Sequence, residues 1–256
     1  MPELPYSVRL ALWGTAALAG ASHGPGSRTL EEAVERAALD LDDVTEVIAP
    51  LRLWRDLGER VLLVALPAPG RTAGLPRGSA ELTAAATEVG ECVYVPAIGA
   101  ALVPRIEQFG HGVAAGDGGT VVRAEVYDCE PVPAHRLEML SVRDAERSLR
   151  ATVLSSIEVL DDIGAVWGSQ SARTRADSAL RSGRWALPDG IPAPALDLLT
   201  LAGTVATIAE LAATEPDPSL VATTGERRAA ALARLAAEAD QALEVATNVA
   251  ALQLRA

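Results

Sequence analysis

Val103-Pro-Arg-Ile-Glu-Gln-Phe109 and Thr120-Val-Val-Arg-Ala-Glu-Val-Tyr127 alternate apolar and polar residues, and the Gly-rich linker Gly110–Gly119 joins them. Successive strand residues point to opposite faces, so this period-two rhythm reads as one antiparallel hairpin. Centring the linker on Ala115 sets Val103 opposite Tyr127, Arg105 opposite Glu125, Glu107 opposite Arg123 and Phe109 opposite Val121. The other face then holds Leu102, Pro104, Ile106, Val122, Ala124 and Val126, an apolar set that should look into a core. Upstream, Cys92–Ala97 supplies a further strand, with a tight turn at Ile98-Gly99 placing Cys92 beside Arg105 and Tyr94 beside Val103. Residues 91–129 are thus expected to form a small, mainly antiparallel meander.

Other elements extend outward from this meander. Val8–Ala19 reads as a buried helix, and Thr29-Leu-Glu-Glu32 has capping-box spacing for a helix to about Leu39. Pro50–Leu57 is a short helix candidate ended by Gly58. The apolar run Val61-Leu-Leu-Val-Ala-Leu66 looks like a central strand covered on both faces. Ser79–Val89 is a helix closed by Gly90. Past Pro131 and Pro133 the period changes from 2 to 3.6. Helices are expected from Ser141 to about Ile163 and over Ser171–Ser182, Ala193–Ala213 and Thr223–Leu254. In the last of these, Leu232, Leu235, Ala239, Ala242, Ala246 and Val249 make a close-packing stripe. The fold class is α+β: an N-terminal part of residues 1–138 with sheet and flanking helices, and an all-helical bundle of residues 139–256. The two parts could pack as one compact unit.

Composition excludes several functions. The chain has 256 residues, a net charge of −12, no lysine and one asparagine, Asn248. Such a charge disfavours both nucleic acid and anionic membrane surfaces, and no Arg-rich run offsets it. The stretch between Asp197 and Glu210 is apolar but shorter than the ~20 residues a bilayer requires. Leu10–Ala21 ends in Ala19-Gly20-Ala21, loosely like a leader cleavage site, but Glu3 stands where a cationic region belongs. The two cysteines would lie two strands apart and ~13 Å out of step along the sheet, beyond the ~7 Å a disulfide spans. Two free thiols and a cytoplasmic location are expected.

The charged sheet face carries the chemistry that can be read. Its residues are Cys92, Tyr94, Arg105, Glu107, Arg123, Glu125 and Tyr127. Opposed Arg–Glu pairs are most simply cross-strand ion pairs on a solvated surface. If helices covered them, Arg105, Arg123, Tyr94 and Tyr127 would line a cleft for a small anionic metabolite, with Glu107 or Glu125 as general base. His111, in the linker, is the third catalytic candidate. Cys92 lacks a neighbouring histidine, and His135 is expected near the sheet exit. The Ser22–Ser27 loop around His23 lacks the ending of a phosphate loop. No metal-ligand spacing occurs and no cofactor is called for. The leading expectation is a non-enzymatic protein whose helical half mediates self-association or docks a protein partner. Binding of, or action on, an anionic metabolite at the sheet face is the alternative.

Overall fold

A computed structural model describes residues 4–20, 29–39, 41–109, 119–163, 187–214 and 222–255. In chain order the elements are α1 (Tyr6–Gly20), α2 (Leu30–Ala37), α3 (Thr45–Asp56), β1 (Leu63–Ala65), α4 (Ala80–Val89), β2 (Cys92–Val95), β3 (Ala100–Phe109) and β4 (Gly119–Asp128). There follow α5 (Ala134–Glu138), α6 (Val142–Asp162), α7 (Ala193–Thr214) and α8 (Ala222–Leu254). The class is α+β: one four-stranded antiparallel sheet with flanking helices, then helices. Two compact units divide the chain. The sheet unit draws on Pro5–Leu140, Ala186–Pro192 and Thr247–Ala256; the helical unit draws on Met1–Leu4, Ser141–Trp185 and Ala193–Ala246.

Local chemistry fixes the helix ends in the sheet unit. Thr29 and Glu32 form the reciprocal capping box of α2, and Ser79 Oγ accepts the Leu82 N–H at the start of α4. Gly90 ends α4 in the left-handed conformation. Helix α3 begins five residues before Pro50, where Asp43 Oδ1 accepts both the N–H and the hydroxyl of Thr45. Pro50 is the sixth residue of α3, past the first turn where proline is usual, so it is a poor start marker here. Helix α1 is buried almost throughout, which accounts for its apolar leader-like character. Thr15 Oγ1 accepts the Leu62 N–H at 2.9 Å, tying α1 to the segment entering β1.

The sheet order is β1-β2-β3-β4. Strand β1 is therefore an edge strand, not the central one its apolar run suggests. A continuous apolar run records burial on two faces and says nothing of the number of hydrogen-bonded neighbours. The free edge is closed by a side chain: Asn248 Oδ1 accepts the Val64 N–H at 2.7 Å, and Asn248 Nδ2 donates to the Val64 carbonyl at 2.9 Å.

Both ladders are slipped by two residues from the expected register. Arg105 faces Arg123, Val103 faces Glu125 and Glu107 faces Val121; in the adjoining ladder Tyr94 faces Ala101. A two-residue slip leaves every side chain on its expected face, so apolar sorting cannot detect it. Outside contacts also engage β4 in this register: Asp43 O accepts the Val122 N–H, and the N–H groups of Asp42 and Asp43 bond Thr120 O. Gly99 takes positive φ (73°) in the β2–β3 turn, as its position requires. Glu59, only 4% exposed, accepts the N–H groups of Ala97 and Ile98 and holds that turn.

The sheet-unit core joins Leu63, Leu82, Ala86, Cys92, Tyr94, Ala101, Val103 and Ala251. On the other face Leu102 and Val122 are buried, but Ile106 and Val126 are 47% and 49% exposed. Only part of that apolar face looks into a core. Trp13 and Trp54 are buried anchors. Cys92 and Cys129 are free thiols, as the sheet geometry requires.

In the helical unit, Ser141 Oγ caps α6 through the Asp144 N–H. Leu149, Thr152, Ser156 and Leu160 form its buried face, and Leu160 packs against Ala231 of α8. Leu232, Leu235, Ala239, Ala242 and Ala246 are buried along α8. Arg228 reaches the Ala212 carbonyl at the end of α7 at 2.6 Å. Among the described residues, α7 is the one helix long and apolar enough to cross a membrane, and 44% of its most apolar stretch is buried within the protein. The expected helix over Ser171–Ser182, and Trp167 and Trp185, lie outside the described residues.

Candidate functional site

At the hairpin end of the sheet two guanidinium groups stand directly across the β3–β4 ladder, at Arg105 and Arg123. Like charges in that position repel unless carboxylates intervene. Each guanidinium has two. Arg105 Nη2 donates to Glu88 of α4 at 2.9 Å, and its Nε donates to Glu125 at 2.7 Å. Arg123 donates to Glu46 of α3 and, from Nε, to Glu107 at 3.4 Å. Tyr127 donates its hydroxyl to Glu125 Oε2 at 2.9 Å.

Arg105 and Glu125 thus meet, as do Arg123 and Glu107, but diagonally rather than face to face. The long side chains span the two-residue slip. Sequence reading missed the two outer glutamates, Glu46 and Glu88. Both sit on helices, and no period within the strands points to them; α3 lies along β4 and α4 along β3.

Electrostatics follow from these contacts. The Arg105 guanidinium is held protonated beyond its ordinary range by Glu88 and then Glu125, and that of Arg123 by Glu46 and then Glu107. Burial, followed by the Glu125 hydrogen bond, pushes the Tyr127 phenol up. Arg105 is 28% exposed and Arg123 50% exposed, so the cluster is an open network at the protein surface. Two cations against four carboxylates leave it net negative.

Tyr94 shares this face but sits in the core at 4% exposure, away from the guanidiniums and beside Cys92 and Val103. The meander face is apolar at its β1–β2 end and charged toward the hairpin end. His111 and His23 lie outside the described residues; His135 is exposed on the short helix α5. Among the described residues no group of three or more histidine, cysteine, aspartate or glutamate side chains could hold a metal ion. Burial raises the Cys129 thiol to about 11, which removes it as a nucleophile near neutral pH.

Two family models match the chain: Rv1486c-like protein, N-terminal domain, over residues 7–138, and Rv1486c-like protein, C-terminal domain, over residues 143–244. No curated protein and no solved structure matches it.

Proposed function

The chain belongs to the Rv1486c-like protein family, and we propose that it is a non-enzymatic cytoplasmic interaction protein that associates with a second copy of itself through its helical half. The observation that carries this reading is the incomplete covering of α7. Its most apolar stretch has a mean hydropathy of 1.5, yet less than half of that stretch is buried. Leu196 on α7 is 38% exposed, and Leu154 on α6 is 63% exposed. Leu201, Ile208 and Leu211, spaced along one side of α7, are only half-buried. An apolar helix surface left in water favours association with a like surface.

The sheet face supports a structural role rather than chemistry. An anionic metabolite would have to displace two carboxylates from each of Arg105 and Arg123 and would meet a net negative cluster. Glu107 and Glu125 are already engaged as acceptors, which leaves neither poised as a base. Two thiols not joined in a disulfide, Cys92 and Cys129, fit a reducing compartment. Light scattering on the size-fractionated full chain tests the reading: a mass twice that of the chain supports it, and a monomer at every concentration removes it.

A further inference from the structure

At the far end of the sheet unit from the charged hairpin, two loops are fastened together: the β1–α4 connection and the segment leaving β4. Glu130 donates its N–H to Arg77 O at 2.6 Å, Gly78 bridges to Cys129, and Arg136 Nη2 donates to the Ala73 carbonyl at 2.7 Å. Between them lies a pocket of about 360 Å³ that opens to the surface, with Leu75 buried at its base and Arg77 and Glu130 exposed at its rim. That size falls at the lower end of the range for small-molecule sites, roughly 300–1,000 Å³. Leu75, Pro131, Val132 and Pro133 give it apolar walls, and Arg77, Arg136 and Glu130 give it charge. Leu75 is anchored in the sheet-unit core, and the two prolines hold their φ angles fixed.

The ionic partners distinguish this place from the hairpin end. Arg105 and Arg123 are each paired with two glutamates. Among the described residues neither Arg77 nor Arg136 has a carboxylate partner, and Glu130 has no cationic one. The backbone bond to Ala73 orients the Arg136 guanidinium and leaves most of its five donors unused. Two unpaired planar forks match a carboxylate. The lone carboxylate of Glu130 opposes a dianion, as does the net charge of −12. It favours a ligand that carries its own cation.

We propose that the cavity between residues 72–77 and 130–136 binds a small zwitterion of the apolar α-amino acid class, with carboxylate toward Arg77 and Arg136, ammonium toward Glu130 and side chain against Leu75 and Val132. This site is separate from the helical surface proposed for self-association and does not depend on it.

Titration of the full chain with L-leucine, followed by amide chemical shifts, tests the proposal, with 4-methylpentanoate (no ammonium) and isopentylamine (no carboxylate) as comparison probes. L-Leucine is expected to saturate with a Kd of about 1 mM or tighter and to shift residues 72–77 and 130–136. 4-Methylpentanoate is expected to bind more weakly and isopentylamine weakest. Arg136→Lys, which keeps the charge and removes the fork, is expected to weaken L-leucine about tenfold. Arg77→Gln is expected to do the same. Glu130→Gln should abolish the preference for L-leucine over 4-methylpentanoate. Absence of shifts in these two segments, equal binding of all three probes, or L-leucine affinity unchanged in all three variants would each overturn the proposal.

Discussion

Asn248 stands against Val64 as a neighbouring strand would, its amide oxygen accepting the Val64 N–H and its amide nitrogen donating to the Val64 carbonyl. It is the single asparagine in the chain, and at 2% exposure it completes the hydrogen bonding of edge strand β1 in a site closed to water. Buried backbone groups need partners, so Asn248 at Val64, together with Thr15 at Leu62, substitutes for a fifth strand. Asn248→Leu leaves both Val64 groups buried and unsatisfied, and urea denaturation should report a loss of about 3 kcal/mol. Asn248→Asp removes the donor and adds a buried charge; its loss should shrink as acid protonates the new carboxyl. Equal stability of parent and Asn248→Leu would refute the edge-closing role.

Gly99 is held in the left-handed conformation with the Cys129 carbonyl directly beside its Cα. Gly99→Ala meets both backbone strain and that oxygen, and should cost about 2 kcal/mol or more. Gly58 has a similarly positive φ (98°) but open space around it, so Gly58→Ala carries the strain alone. The two variants should rank in that order of damage by thermal unfolding. The reverse order would mean that the β2–β3 turn relaxes away from Cys129.

Glu91 accepts the Ser7 N–H at 2.6 Å across the start of α1, and burial pushes its carboxyl above its ordinary value of 4.5. A raised carboxyl means that the folded state binds the proton more readily than the unfolded chain. The contribution of Glu91 is therefore greatest in acid and is lost as pH rises from about 4.5 through the folded value. Asp43 and Glu31 act oppositely: hydrogen bonds lower both, so their contribution is present above the ordinary range and lost as pH falls. Glu91→Gln should move the pH of maximum stability upward. An unchanged profile would show that Glu91 titrates alike in the folded and unfolded chains.

The raised Cys129 thiol and the enclosed Cys92 lead to a labelling prediction. Neither should be alkylated by iodoacetamide in the native protein near neutral pH at the rate of an ordinary exposed thiol, and both should react after denaturation. Rapid native labelling of the half-buried Cys129 would contradict its raised pKa.

How far the sequence revealed these features varied with the kind of signal. Thr29–Glu32, Ser79, Gly90 and Gly99 are local signatures, and each sits where its chemistry demands. Face assignment in β3 and β4 was equally legible, because alternation has a period of two. Register was not, since a two-residue slip preserves the faces and lets Arg105 and Glu125 meet on the diagonal. Position within the sheet was hidden as well. The run Val61–Leu66 looks the same in the middle of a sheet as at an edge closed by a distant amide. At the candidate site, Arg105, Glu107, Arg123 and Glu125 were readable together, whereas Glu46 and Glu88 arrive from helices 77 and 17 residues away from the arginines they bind.

The pairing of both guanidiniums with carboxylates leads to a gain-of-function prediction. The parent protein should show no phosphate-induced shifts at Arg105 or Arg123, whereas Glu46→Gln combined with Glu88→Gln frees one donor edge on each guanidinium and should create a weak, salt-sensitive phosphate site. Phosphate shifts in the parent would restore the anion-binding reading of this face.

Self-association through the uncovered helical surface is tested most directly by sedimentation equilibrium of the full chain over roughly 1–100 µM, beside Leu154→Glu combined with Leu196→Glu. These residues are exposed, so charging them should spare the fold. The parent should approach twice the 26.5 kDa chain mass as concentration rises, and the double variant should remain at the chain mass. A parent that stays at the chain mass throughout, or a variant that associates as strongly as the parent, would contradict the account.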